Sequence, residues 1–185
     1  MRETFKMLNL RIRICIIISL PIILLSCNEY DDIPDNMRFK FQEGDTLIFK
    51  CNCMEYDTFV VNHINYWYNV TDKQYYSERG EIYYKYIGKD PNDSLLFKNN
   101  YIEISTYSLY LSWGDFKYRK RFSDLPEDTI NNVEFGSAYD LQIDSTKYIE
   151  TDIYRIHYHG NYGVLKYWFR NGKEFELWKH LQNSQ

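Results

Sequence analysis

From Phe39 to Lys179 the chain alternates. Aromatic and β-branched residues recur at every second position in short runs, and clusters of Gly, Asn, Asp and Pro separate the runs. A period of two places successive side chains on opposite faces of a strand, whereas a helix needs a period near 3.6. Residues 46–50 and 58–70 flank a short connection and are predicted to pair as a hairpin. Residues 74–87 form another extended run, with a bend expected at Gly80, and 88–93 is turn chemistry. Further strands are predicted at 94–98, 101–113, 116–122, 129–135, 139–143, 151–159, 164–169 and 173–179. Asn171-Gly172 marks the last hairpin, because a type I′ turn needs two residues that tolerate positive φ. In 116–122, Phe116, Tyr118, Lys120 and Phe122 share one face. Lys117, Arg119 and Arg121 share the other, a solvated cationic stripe. No segment keeps a helical apolar stripe for three turns. The expected fold is all-β: an antiparallel meander of about eight to ten strands, curved into an open sheet, a half-barrel or a small barrel.

The first residues obey a different logic. Arg2, Lys6, Arg11 and Arg13 precede an uncharged run, 14–25, that is interrupted by Pro21. A transmembrane helix needs about 20 apolar residues, so this shorter run reads as the apolar region of a secretory signal peptide. Leu24-Leu25-Ser26-Cys27 then resembles the lipobox of bacterial lipoproteins. The resemblance implies cleavage before Cys27, a diacylglyceryl thioether on its sulfur and acylation of its new amine. Acyl chains contribute about 0.8 kcal/mol per buried CH₂, so several of them anchor stably. The expected organisation is a signal peptide at 1–26, lipidated Cys27 with a flexible acidic tether through residue 38, and one β-rich domain at 39–185. Asn28-Glu29-Tyr30-Asp31-Asp32 is similar to the surface-export tethers of Bacteroidetes lipoproteins, which implies an outer-membrane lipoprotein with its domain facing outside.

Charge narrows the partners. The whole chain carries net −4. Removing 1–26, with four bases and one acid, leaves 18 bases against 25 acids. A nucleic-acid backbone asks for a basic footprint, so no nucleic-acid partner is expected; the membrane is reached through the N-terminal lipid. A further resemblance lies in Gly44-Asp45-Thr46-Leu47-Ile48-Phe49, Asp57-Thr58-Phe59-Val60-Val61 and Tyr162-Gly163-Val164-Leu165-Lys166-Tyr167. These look like the paired hairpins of small Bacteroidetes lipoproteins of unknown function. The motifs describe turns and strand edges; they imply an all-β lipoprotein and no activity.

Candidate chemistry is sparse. Cys51 and Cys53 sit at the tip of the first hairpin. Exported cysteines meet an oxidising environment, so they are candidates for a disulfide, with free thiols or a metal or redox site, aided by His63, as alternatives. His157 and His159 lie at i and i+2 of one strand and are weak metal candidates, with His63, Asp152 or Glu174 as a third ligand. No nucleophile elbow, zinc-protease helix, P-loop or dinucleotide fingerprint occurs, no cofactor is expected, and an enzyme is not the leading expectation. Aromatics make up 18% of the chain, and many are adjacent, as in Tyr66-Trp67-Tyr68, Tyr83-Tyr84 and Tyr167-Trp168-Phe169. Neighbours in a strand point oppositely, so some rings must lie on the outer face. Tyr66, Tyr68, Tyr84 and Trp168 are the ligand-binding candidates. The expected function is a non-enzymatic binding or accessory module for a glycan, peptide or protein partner. The alternatives are a half-barrel carrier of an apolar ligand and, third, a hydrolase.

Overall fold

The computed structural model describes residues 29–72, 75–88, 91–125, 129–132, 136–143 and 152–183. The predicted signal peptide and Cys27 lie outside them, as do 133–135 of one predicted strand. Strand outweighs helix, 64% to 7%, so the all-β expectation holds. The strands are β1 (Glu29–Asp31), β2 (Thr46–Cys51), β3 (Tyr56–Asp72), β4 (Tyr75–Tyr86), β5 (Asn100–Ser105), β6 (Ser108–Trp113), β7 (Phe116–Arg121), β8 (Thr129–Asn132), β9 (Gly136–Gln142), β10 (Ile153–His159), β11 (Gly163–Phe169) and β12 (Glu174–Leu181). β2–β7 form one meander and β8–β12 a second. Pairing of β12 with β2 joins them into an eleven-strand antiparallel sheet, while β1 adds to β4 in parallel. The sheet is nearly closed and barrel-like. Across the barrel end, the carboxylate of Asp115 in the β6–β7 turn accepts the backbone N–H groups of Asp152 and Ile153 at the start of β10. Closure leaves little exposed edge to aggregate.

Alternation decides what fills the barrel. Leu47 and Phe49 of β2, Phe59 and Val61 of β3, Ile82 and Tyr84 of β4, Ile102 and Ile104 of β5, and Leu109, Leu111 and Trp113 of β6 are all buried. Bulges keep later residues in phase, as between Val61 and His63 and between Leu177 and Lys179. Phe49, Phe59 and Tyr167 pack around Trp113, with ring centroids 4.5–5.9 Å from it. Aromatic pairs at such spacings add about 0.5–1.5 kcal/mol each beyond area burial. Gly80 does not bend β4. It lies opposite Tyr66, whose ring would stand 2.5 Å from a Cβ placed there; only glycine admits the ring.

The structure corrects several expectations. Residues 94–98 are not a strand: Pro91–Leu96 is a short helix, α1. Proline favours the first helical position, where its missing N–H costs nothing. The helix delivers Phe97 into one end of the barrel, within 5.1–6.5 Å of Phe59, Tyr86, Trp113, Tyr167 and Phe169. The single run expected at 101–113 is two strands, β5 and β6. Ser105 Oγ accepts the N–H groups of Tyr107 and Ser108 and turns the chain without glycine or proline. The strand expected at 139–143 starts earlier, at Gly136.

The largest correction concerns the expected tether, whose residues 29–38 are folded. β1 pairs Glu29 with Tyr75, and Ile33 and Met37 are core residues. Beyond β1 the chain closes the other end of the barrel. Buried Glu78 accepts Ile33 N–H at 2.9 Å and pairs with Arg38. Phe39 N–H donates to Tyr66 Oη at 2.8 Å, and Asn161 Nδ2 donates to the carbonyls of Asp35 and Arg38. The acids made this segment look solvated, but Ile33 and Met37 supply apolar anchors, and one buried carboxylate satisfies the backbone.

Candidate binding site

On the outside of β4, Tyr83 projects because Ile82 and Tyr84 turn inward. Register places it opposite Tyr101 of β5, and Tyr110 of β6 follows. The three rings form a ladder, with centroids 5.4 and 5.2 Å apart and planes inclined by 22° and 26°. Cross-strand aromatic pairs of this kind stabilise a sheet by about 0.2–1 kcal/mol. Partial burial and Glu81 raise the Tyr83 pKa, and partial burial and Tyr110 raise that of Tyr101. Both phenols are therefore neutral hydrogen-bonding groups at physiological pH.

Beside this ladder the β4–β5 connection bounds a cleft of 590 Å³. Tyr83, Lys85, Lys98, Asn99, Tyr101 and Lys117 line it, along with Asn62 at the β3 bulge. Among the described residues, three lysines and no carboxylate line this cleft, although acids outnumber bases in the chain. Lys117 Nζ donates to Ser112 Oγ at 2.5 Å, and among the described residues no carboxylate pairs with Lys85 or Lys98. Asn100 is occupied structurally: its Nδ2 donates to the Phe97 carbonyl and its Oδ1 accepts Gly114 N–H. The lining offers ammonium, amide and phenol groups on an aromatic wall. That set can hold an anion and hydrogen-bond to its neighbours.

The four aromatic candidates scatter. Tyr84 is buried in the core yet also lines the inner wall of the cleft, whereas its neighbour Tyr83 takes the outer face. Tyr66 is half-buried beneath the N-terminal segment, with the Arg38 guanidinium 5.5 Å from its ring. Tyr68 is exposed, but its hydroxyl donates to Asp32 at 2.5 Å, and that bond first of all pushes its pKa up to about 12. Trp168 is enclosed. Arg155 and Lys166 lie 4.8 and 4.9 Å from its ring, His157 packs 4.4 Å away, and its indole N–H donates to Glu174.

Nor do the histidines converge. A bulge separates His157 from Tyr158. Nδ1 of His159 accepts Asn161 N–H, and His63 pairs with Glu43 at 2.9 Å. Burial lowers the His157 pKa, which keeps the ring neutral; among the described residues its buried Nε2 makes no hydrogen bond, and the Asp140 carboxylate stands 3.7 Å away. Cys51 and Cys53 are joined in a disulfide at the β2–β3 tip. Their sulfurs and Glu55 are the one triad of candidate ligand atoms gathered within 4.8 Å among the described residues, and oxidation removes the thiolates a metal would need. A smaller hollow of 370 Å³ beside the disulfide mixes Lys50 with Glu174 and Glu176.

Sequence reading missed the cleft itself. The Tyr83-Tyr84 doublet signalled that one ring must face outward, and Lys117 belonged to the recognised cationic stripe. Nothing local said that Lys85 and Lys98, on a strand and a connection, would join them. No protein-family model, curated protein or solved structure matches this chain.

Proposed function

We propose that this protein is a cell-envelope lipoprotein, held in the outer membrane through Cys27, whose barrel binds an acidic saccharide in the Tyr83–Tyr101 cleft. One observation carries the reading: among the described residues, three lysines and no acid line a cleft beside a tyrosine wall on an acidic protein. Lysine presents a compact charge that suits a carboxylate or sulfate. Asn62 and Asn99 offer paired donors and acceptors of the kind sugar hydroxyls need, and tyrosine covers C–H faces while keeping a polar tip. The volume lies within the range of about 300–1,000 Å³ typical of ligand sites. The carrier reading has less support, because Trp113, Tyr158, Tyr167 and Phe59 occupy the barrel interior.

Titration calorimetry with oligogalacturonate, its neutral methyl ester and oligoglutamate tests the proposal. Oligogalacturonate is expected to bind best, and more weakly as salt rises. Replacing Lys85, Lys98 and Lys117 with Gln is expected to weaken it about tenfold, at roughly 0.2–1 kcal/mol per exposed charge pair. Equal binding of the neutral ester overturns the charge argument, and stronger binding of oligoglutamate redirects the site to acidic peptides.

A further inference from the structure

The folded N-terminus has a geometric consequence. β1 begins at Glu29, so Asn28 alone separates the lipobox cysteine from a residue fixed to the barrel. A chain spans at most about 3.3–3.6 Å per residue. Lipidated Cys27 therefore lies within about 7 Å of Glu29, which keeps β1 close to the bilayer and leaves the barrel's orientation about that point to be set by the rim. That rim is aromatic and exposed. Tyr30 is 58% exposed, Tyr107 54%, Tyr68 44% and Val70 64%. Tyr30 stacks on Tyr76 at 4.9 Å and meets the edge of Tyr68 at 5.4 Å. Tyr75 and Tyr107 donate their hydroxyls to Asp31, and Tyr68 donates to Asp32. Rings with an apolar body and a wet polar tip are what a membrane–water interface selects.

We propose that this rim docks on the phospholipid surface, with Tyr30, Tyr68, Val70 and Tyr107 in the headgroup layer and the barrel standing upright on its N-terminal end. The inference rests on the lipoprotein reading, because the anchor at Cys27 sets the distance. Charge does not drive it. Glu29, Asp31 and Asp32 of this segment are accompanied by Arg121, which lies opposite Ser108 at the end of β7, so the rings carry the contact and zwitterionic lipid suffices. Docking at this end also turns Lys98 and Lys117 away from the bilayer, since α1 and the start of β7 belong to the opposite end.

The test uses the full lipidated protein in phosphatidylcholine vesicles that carry a headgroup nitroxide. One fluorophore is placed through Arg121→Cys beside the rim, another through Asn171→Cys at the far turn. Twelve tilted residues of β4 separate the two ends by about 30 Å. Flotation with the vesicles reports the anchor, and quenching reports docking. Docking is supported if the probe at 121 is quenched far more than the probe at 171, and Tyr30→Ser, Val70→Ser and Tyr107→Ser together bring the two close to equal quenching while the protein still floats. Equal quenching at both sites in a floating protein overturns docking alone. A protein that does not float, or a Cys27→Ser variant that floats as well as the parent, overturns the anchor and the inference with it.

Discussion

The two ends of the barrel are closed by different physics. At the end where α1 sits, one side chain does most of the sealing: Phe97 meets rings from four strands. A single buried carboxylate, Asp57, serves this end by accepting the hydroxyls of Tyr86 and Tyr167. At the other end the seal is a length of backbone, residues 33–41, whose polar groups find partners on Glu78, Tyr66 and Asn161. Asp45 belongs to this polar end too. It is buried, and accepts the N–H groups of Gln42 and Asn183 and a bond from His180 at 2.8 Å. An apolar plug draws on packing, which salt and pH leave nearly untouched. A polar plug depends on every group being paired, since a buried unpaired carboxylate is far costlier than a missing methylene.

The strongest way to break this comparison is to remove residues 28–38 from the mature protein. A true tether would be dispensable. Here the deletion takes Ile33 and Met37 out of the core and strips Glu78 of both partners, and a loss of about 5 kcal/mol or more is expected in urea unfolding. An unchanged midpoint would return this segment to the status of a leader. Next in size is Phe97→Ala, expected to cost about 3–5 kcal/mol by leaving a cavity among five rings. Unlike the deletion, its effect should not change between low and high salt.

The smallest expected effect sharpens the contrast through pH. Burial pushes the Asp45 carboxyl up, but the bonds from Asn183, Gln42 and His180 together outweigh it and hold the group below its ordinary value. A carboxylate whose folded pKa is depressed contributes stability that is complete above its unfolded value, near pH 4, and is lost as pH falls through the folded value. Asp45→Asn should therefore narrow its deficit against the parent as pH drops below about 4. Hydrogen exchange should show the Asn183 amide opening before amides around Phe97. Simultaneous opening at both ends would mean that Asp45 is not a local latch.

Much of this architecture was legible in the chain because strand alternation is local. Phe116, Lys117 and Tyr118 take the faces that their order implies, and the last hairpin falls at Asn171-Gly172 as expected, although of the two only Gly172 takes positive φ and the turn is therefore not type I′. Where a local signal was weak, the reading failed. Ser94–Leu96 looked extended, yet Pro91 starts a helix, and a serine hydroxyl turns β5 into β6 where no glycine announces it. The candidate site was legible only in half. Any doublet of aromatics must send one ring outward, but which one depends on the register that neighbouring strands impose.

By itself, then, the sequence determined the all-β class and most strand positions, and it carries the lipobox-like Leu24–Cys27 that motivates the proposed anchor, because each is written in residues adjacent along the chain. Tertiary structure decided the rest. It chose Tyr83 over Tyr84 for the surface, brought Lys85, Lys98 and Lys117 around one cleft, wrapped Trp168 in charged neighbours and folded the acidic leader onto Glu78. Those outcomes depend on contacts between residues far apart in sequence: Ile33 reaches Glu78 across 45 positions and Asn161 reaches Asp35 across 126. Such contacts form only when the sheet closes, and closure is a property of all its strands together.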